Sequence, residues 1–463
     1  MANILNWKDW TIIAVNEHEH DYEIVAERIP LPPACPRCGV VAAAGGQAPY
    51  VGYGGKSQLY LDLPVHAKRA GIRAQRRRFK CKHCGKTFFE PYPEMDEMHH
   101  MTRRLVRHIE EQSLNRTFTD VADLVGVDEK TVRLIFRDYV KHLEDHYKFI
   151  LPAALGIDEI YLLGKSRCVL TNVEQRTVVD LLKDRNQTTV EKWLDKIEDR
   201  HKIDVVAIDM WRPYRQAAAA KLPHATVVID KFHIVRMAND VLETIRRGLR
   251  ERLTDKQRRT LKKDRYILLR RRHDLDEKDE LLLDTWSKNF PTLGIAYQLK
   301  ESFFDIWDEP DRQAAEAAYR KWVDDLPAEL AGEFADLIKA MHNWHEEIFN
   351  YFDVGLTNAY TEALNGLIRH TNRLGRGYSF DAIRAKLLYS IGKHKIRRPR
   401  YGEWSRRMAE PTPEPYQPDQ QPDQPVRDLR FGDVIFTYGI EMATLEGLLN
   451  EEPDEPESTR NSE

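Results

Sequence analysis

Acidic side chains set inside apolar strand-like runs constrain this chain more than any other feature of its sequence. Leu155-Gly-Ile-Asp158-Glu-Ile-Tyr-Leu162 and Val205-Val-Ala-Ile-Asp209-Met-Trp211 are short β-type runs, each interrupted or ended by an aspartate. A third acid, Glu362, follows far downstream in the helical segment Thr357-Asn-Ala-Tyr-Thr-Glu362-Ala-Leu-Asn365. An ionised carboxylate in an apolar strand costs several kcal/mol unless something pairs with it. Three that converge repel one another, so the natural partner is a hard divalent cation. Oxygen ligands suit Mg²⁺ or Mn²⁺, which keep waters and bind phosphates; such a centre points to two-metal phosphoryl transfer on nucleic acid. Glu159 alternates to the other strand face and reads as structural or solvent-facing. Asp230, in Val227-Val-Ile-Asp-Lys-Phe-His233, also ends an apolar run and is the rival for the second position. His233 either orients a ligand or is simply packed.

The elements around these acids come in an informative order. Strand-like runs at 154–163, 167–173 and 176–182 precede an amphipathic helix from Thr188 to Arg200, then a strand at 204–208, a helix at 213–221 and a strand at 225–229. Three strands joined by short turns, followed by helix–strand–helix–strand, is the order of a ribonuclease-H-like fold: a mixed sheet with helices on both faces. In that order the strands carrying Asp158 and Asp209 are neighbours. From 232 to 350 the pattern is helical, charged and Trp-bearing, which reads as an all-α insertion; Trp286, Trp307, Trp322 and Trp344 read as its core anchors. Residues 356–395 return to an amphipathic helix (Ala359, Leu364, Leu367, Ile368), a basic turn and a helix from Phe380 to Ile396. Asn358, Asn365 and Gln187 flank the acids, and Asn365 and Arg369 share a helix face with Glu362, where they can touch phosphate or fix the Glu. Arg373 and Arg376 extend a basic strip.

Before this catalytic part the chain carries different signals. Alternation up to about residue 30 predicts a strand pair. Cys35-Pro-Arg-Cys38 and Cys81-Lys-His-Cys84 each form a knuckle-like turn followed by Gly39 or Gly85, and four thiolates satisfy a closed tetrahedral Zn²⁺ site. The long spacer between the pairs must carry its own hairpins; His66 and His83 are weaker ligand candidates, and Cys168, alone on an apolar run, reads as a core thiol. The net charge is only −3 on a chain of 463 residues, 42% hydrophobic and 31% charged. That total hides an acid-free stretch from Pro64 to Phe89, in which Arg76, Arg77, Arg78 and Lys80 sit beside the second knuckle and favour phosphate contacts. A helical period from Met95 to Tyr147, broken at Asn115 and Gly126, reads as a helix-turn-helix. Gly126 permits the turn, Asp128 caps the second helix, and Val121, Leu124, Val127, Val132 and Ile135 form the core. Lys130, Thr131, Arg133 and Arg137 then face the groove. No apolar run reaches membrane-spanning length, the N-terminus lacks a secretory layout, and paired Cys-x-x-Cys motifs suit a reducing compartment. These features predict a cytoplasmic location. The tail repeats Pro, Gln and Asp at 409–429 and is expected to be largely disordered, with a short ordered patch near Phe431–Leu449.

The phrases Gly156-Ile-Asp-Glu, Asp209-Met-Trp-Arg-Pro-Tyr214, Asp230-Lys-Phe-His-Ile-Val235, and Thr357 to Arg369 with Gly375-Arg-Gly-Tyr378 resemble DDE transposases of bacterial insertion sequences, nearest the ISL-three family. The resemblance runs from about Cys35 to Lys395. It implies a triad of Asp158, Asp209 and Glu362 holding catalytic Mg²⁺, a long helical insertion before the Glu, and a zinc-binding amino-terminal module. It also implies binding to terminal inverted repeats and target DNA as a homodimer or higher oligomer, nucleoid-associated when on DNA. The expected fold class is multidomain, α+β and α/β. Strands and a zinc module occupy 1–94 and a helix-turn-helix 95–150. The catalytic core is expected at 151–235 and 353–400, interrupted by the insertion at 236–352, with an acidic tail at 401–463. The competing readings are a catalytically retired zinc and helix-turn-helix regulator, and a nuclease that hydrolyses without joining.

Overall fold

The computed structural model describes residues 5–41, 47–146, 149–249, 253–356 and 359–391. Asn358, the expected end of the helix at Ile396, and the whole acidic tail fall outside them. The chain divides into two compact units, one taking in residues up to 148 together with Arg373–Ser390, the other 149–372. The expected second core segment, 353–400, is therefore split, its latter part grouping with the first unit.

In the first unit, β1 (Trp10–Glu17) and β2 (Asp21–Arg28) form the expected antiparallel pair. The spacer between the cysteine pairs is a long hairpin, β3 (Tyr50–Val65) and β4 (Lys68–Cys81), turning at His66 and Ala67 with positive φ of 50° and 61°. β5 (Thr87–Phe89) adds to β4, and β6 (Met95–Asp96) and β7 (Met101–Thr102) complete a sheet ordered β1-β2-β4-β3-β7-β6. Helix was expected from Met95, but it starts only at α1 (Arg103–Asn115), because Thr102 leaves the strand and caps it, accepting from Leu105 N. Next come α2 (Phe118–Val125) and α3 (Glu129–His146). Gly126 takes the left-handed conformation, φ 73°, that ends α2 and that residues with a Cβ avoid. Asp128 accepts from Thr131 N at 2.9 Å and caps α3.

The small core between these helices differs from expectation at two points, since Val127 is only half-buried and Leu124 is exposed. α2 buries Phe118, Val121, Ala122 and Val125, the i, i+3, i+4, i+7 face, and that phase turns Leu124 outward, 46% exposed. Val132, Ile135 and Phe136 answer from α3.

The second unit is built on a five-stranded sheet. β8 (Ala154–Leu162), β9 (Lys165–Asn172) and β10 (Thr177–Leu182) run antiparallel; α4 (Gln187–Leu194), β11 (Val205–Ile208), α5 (Arg212–Lys221) and β12 (Thr226–Ile229) follow. The strand order is β10-β9-β8-β11-β12, with β11 parallel to both neighbours. α4 stops earlier than its apolar period suggests. Lys196 N and Ile197 N bond to carbonyls only three residues back, tightening the chain into a turn while Ile197 stays buried. Leu155, Ile157, Cys168 and Leu170 face α4 and α5 in one large core; Ala154, Val173 and Ala207 line the opposite sheet face.

From Lys231 to Ile391 the described residues hold helices alone: α6 (Lys231–Gly248), α7 (Asp255–Lys263), α8 (Arg265–Leu269), α9 (Glu277–Asn289), α10 (Pro291–Asp305), α11 (Arg312–Asp324), α12 (Ala331–Asn343), α13 (His345–Val354), α14 (Ala359–Gly375) and α15 (Phe380–Lys386). Trp322 and Trp344 are buried among them, and Trp286 and Trp307 pack at the core's edge. No described helix is long and apolar enough to cross a membrane.

Candidate metal centres and nucleic-acid interface

Strand register brings the two aspartates together. Ile157 pairs with Ile208 across β8 and β11, so Asp158 and Asp209, one residue further along each, fall side by side on the same face. Asp158 is almost fully buried, whereas Asp209 is half-buried. Each carboxylate accepts from the N–H of the next residue, Glu159 or Met210, at 2.6 Å. Asp158, Asp209 and His233 each offer a ligand atom, and those atoms lie within 4.8 Å of one another. Burial, and then the charge of Asp209, outweighs the Glu159 N–H and lifts Asp158 to about 6.

α14 docks on the same sheet face through two buried polar contacts: Thr361 Oγ1 to Thr171 Oγ1, and Asn365 Nδ2 to Asp158 Oδ2, both at 2.8 Å. Glu362 sits beside Thr361, half-buried. Its carboxyl is raised by burial and then by the charges of Asp230 and Asp158, although it is not part of the 4.8 Å cluster. Asn365 was expected to touch phosphate or fix the Glu; its amide instead holds Asp158. Asp230 caps α6, accepting from Phe232 N, and is 2% exposed. His233, one turn into α6, directs Nδ1 to Asp209 Oδ1 at 3.3 Å. The only sequence signal for its role was its place three residues after a strand-ending Asp. Glu159 pairs with Arg185, whose guanidinium stacks over Trp211 at 4.0 Å. Gln187 donates to Glu191 within α4.

The four paired cysteines also converge. Cys35 and Cys84 Sγ are 3.9 Å apart, and Cys38 and Cys81 Sγ 3.7 Å. A tetrahedral ion with Zn–S bonds of about 2.3 Å requires sulfur–sulfur edges near ~3.8 Å, so the group fits Zn²⁺. The two knuckles are alike: Gly39 N bonds Cys35 O and Gly85 N bonds Cys81 O, with φ of 71° and 69° at the glycines. The Cys84 N–H pulls the Cys81 thiol down to about 6, toward the thiolate a metal needs. His66 and His83 are not in the cluster.

The basic candidates separate into engaged and open side chains. Arg77 is spent inside the fold, pairing with the fully buried Glu90 and donating to the carbonyls of Arg28 and Pro30. Arg76 pairs with Glu97 and lies over Phe89 and Tyr92. Arg78 donates to Thr87 Oγ1, and Lys80 stays exposed near the Tyr53 ring. On α3, Thr131 is bound to Asp128 and Arg133 to Glu129; Lys130 is exposed, and Arg137 is exposed with Asp138 beside it at 3.5 Å. Arg369 and Arg373 are exposed on α14. Cys168 is a fully buried core thiol whose pKa burial pushes up.

Comparison with known proteins agrees along the chain. A transposase model of the ISL3 DDE type matches residues 155–387, and the helix-turn-helix domain of transposase family ISL3 matches 90–140. The zinc-finger of transposases of the IS204, IS1001, IS1096 and IS1165 elements matches 31–84. Among curated proteins, the transposase for insertion sequence element IS1001 of Bordetella parapertussis is 24% identical over 331 residues, 68% of this chain and 80% of that protein.

Proposed function

This chain belongs to the ISL3 family of transposases, with a zinc ribbon and a helix-turn-helix that binds DNA, and on that premise we propose that Asp158, Asp209 and Glu362 hold divalent cations for DNA cleavage and strand transfer. The observation that carries the reading is a contrast in how this protein treats buried acids. Glu90 and Asp62, 0% and 3% exposed, each have a guanidinium, from Arg77 and Arg104. Asp158 and Asp209 have no Lys or Arg within salt-bridge distance among the described residues; His233 is the one basic group at Asp209. Breaking or omitting a buried pair leaves a charge that costs about 3–5 kcal/mol. A cation from solution removes that cost. The strand order β10-β9-β8-β11-β12 supports the ribonuclease-H-like core, and the run of helices before α14 supports an insertion ahead of the Glu.

Bound Mg²⁺ or Mn²⁺ would lower the nucleophile's pKa and stabilise the departing oxygen of an in-line displacement. The chain's own residues do the rest. Asn365 fixes one Asp158 oxygen, His233 steadies Asp209, and the docking of α14 through Thr361 keeps Glu362 beside them. Arg369, exposed on α14, would meet phosphate. The zinc ribbon, Lys80, and Lys130 and Arg137 on α3 would read the element's terminal inverted repeats; two ends would be held by a homodimer or higher oligomer. The test has two stages with the full chain. A duplex carrying the element's end should bind without divalent cation and be nicked at the end once Mg²⁺ is added. Asp209→Asn should bind equally and cut orders of magnitude more slowly. Binding without any cleavage by the native chain overturns the catalytic reading, and normal cutting by Asp209→Asn transfers the second position to Asp230.

A further inference from the structure

A cavity of about 550 Å³ opens among α6, α7 and α8, away from the carboxylates in sequence and in lining. Among the described residues six cations line it, Arg246, Arg247, Arg258, Arg259, Lys262 and Arg265, and no acid does. The rest of the lining, Leu253 and Leu261, is buried and apolar. The described acids nearby are already engaged. Glu243 holds Arg246 through bonds of 2.8 and 3.0 Å and reaches Arg247 at 3.5 Å, and Asp255 meets Arg258 at 3.3 Å. Arg265 lies against the Tyr266 ring. Arg259 and Lys262 are exposed and have no acidic partner within salt-bridge distance among the described residues.

Such an arrangement works against the fold's own stability. α7 reads Asp255-Lys-Gln-Arg-Arg-Thr-Leu-Lys-Lys263, and Leu261 is its one buried side chain among those described. Arg258 with Lys262, and Arg259 with Lys263, are like charges four apart on a helix, each pair destabilising it by a few tenths of a kcal/mol (~0.2–0.5). Glu243 and Asp255 answer Arg246, Arg247 and Arg258, which leaves Arg259 and Lys262 without an acid in salt-bridge distance among the described residues, free to be matched by an anion from outside. The cavity is too large for one small ion and falls in the range of roughly 300–1,000 Å³ of ligand-binding clefts in general.

We propose that this cavity is a further DNA contact, seating the phosphodiester backbone of the duplex on which the catalytic site acts. The identity of the polyanion rests on the transposase reading above. Arg259 and Lys262 make the phosphate contacts, Arg247 supplements them, and the two leucines keep the floor dry beneath.

The experiment measures affinity of the full chain for an end-bearing duplex with flanking DNA, without divalent cation, as salt rises from about 50 to about 200 mM. Each phosphate contact contributes about 0.9 to the slope of log affinity on log salt. Arg259→Gln with Lys262→Gln should therefore flatten that slope by about 2, and the wild-type advantage should shrink about tenfold across the range. The same loss of charge on exposed lysines of α11 and α12, Lys321→Gln with Lys339→Gln, should leave the slope unchanged. An unaltered slope in the cavity variant, or an equal fall in the control, overturns the proposal. Tighter DNA binding by the cavity variant also overturns it and makes an acidic polypeptide segment the occupant. If the wild type binds, cuts with Mg²⁺ and yet shares the cavity variant's slope, only this inference fails; if the wild type does not bind the duplex at all, the transposase reading fails with it.

Discussion

Replacing Asp158 by Asn should make the protein more stable while it abolishes cutting. Asp158 is buried, and its carboxyl titrates at about 6 instead of 3.8. At 1.36 kcal/mol for each tenfold change in proton affinity, the ionised group costs about 3 kcal/mol above pH 6. Asparagine removes the charge but keeps one acceptor where the carboxylate had two, so either the Glu159 N–H or the Asn365 amide loses its bond, at about 1 kcal/mol. The net gain is about 2 kcal/mol. For a unit of this size that raises the melting temperature by roughly 4–8 °C, read by differential scanning calorimetry at pH 7.5 in EDTA. The sign follows from linkage: the folded carboxyl titrates above the unfolded one, so the wild-type penalty is full above about pH 6 and disappears as pH falls toward 3.8. The gap between variant and wild type should close over that window. Saturating Mn²⁺ should then reverse the order, since a ligand at a hundredfold its Kd stabilises by about 2.7 kcal/mol, a gain the variant forgoes in large part. A variant less stable than wild type in EDTA, or one stabilised by Mn²⁺ as much as wild type, would refute the assignment of Asp158 as an ion-holding carboxylate.

Three further outcomes are expected. Cys81→Ser should reduce bound zinc, measured by atomic absorption, from about one ion per chain to a small fraction, and should abolish end binding in a gel shift; full zinc content in the variant would exclude the four-sulfur site. Lys130→Ala with Arg137→Ala should weaken binding to the element's end by one to two orders of magnitude, roughly 1–3 kcal/mol, without altering the melting temperature, because both side chains are exposed; unaltered binding would move the reading surface off α3. Lys386 is 2% exposed, donates to the carbonyls of Ser113 and Arg116, lies among the rings of Phe118, Phe136 and Tyr378, and is lowered by burial to about 7. Its folded form gives up the proton well before the unfolded chain does at 10.5, so stability of the first unit should rise between about pH 7 and pH 10, by on the order of 4 kcal/mol, and Lys386→Met should flatten the rise; a flat wild-type profile would show that the carbonyls and rings retain the ammonium.

The sheet of the second unit could be read from the chain because its strands are nearly continuous apolar runs bounded by turn residues, and burial on both faces demands that pattern. Asp158 and Asp209 stood out for the same reason: a charge is conspicuous against Leu155, Ile157, Val206 and Ile208. The helical contributions were harder to read. Whether Asn365 meets Glu362 on its own helix or Asp158 on a strand depends on how α14 docks, and the docking is settled by Thr361 against Thr171, a pair that no local period announces. His233 gave a still weaker signal, since a histidine on the first turn of a helix is compatible with packing as much as with Asp209. Leu124 misled because a short helix offers two plausible apolar phases, and the one containing Phe118 and Val125 buries more.

The basic residues show a limit of a different kind, because a run of arginines in sequence does not say which of them are already paired. Arg77 lies in the middle of the most basic stretch of the chain and yet belongs to Glu90, buried and fully enclosed. Arg259 and Lys262 lie in a segment whose acids nearly balance its bases by count, and yet they are left over once Glu243 and Asp255 have taken their neighbours. Availability for phosphate is thus a remainder, fixed after the fold has satisfied its own buried acids. The same subtraction applied to acids leaves Asp158 and Asp209. Among the described residues, Arg259 and Lys262 thus face the cavity of α6, α7 and α8 without an acid, and Asp158 and Asp209 face each other without a Lys or Arg, so each pair invites an ion of opposite sign from outside.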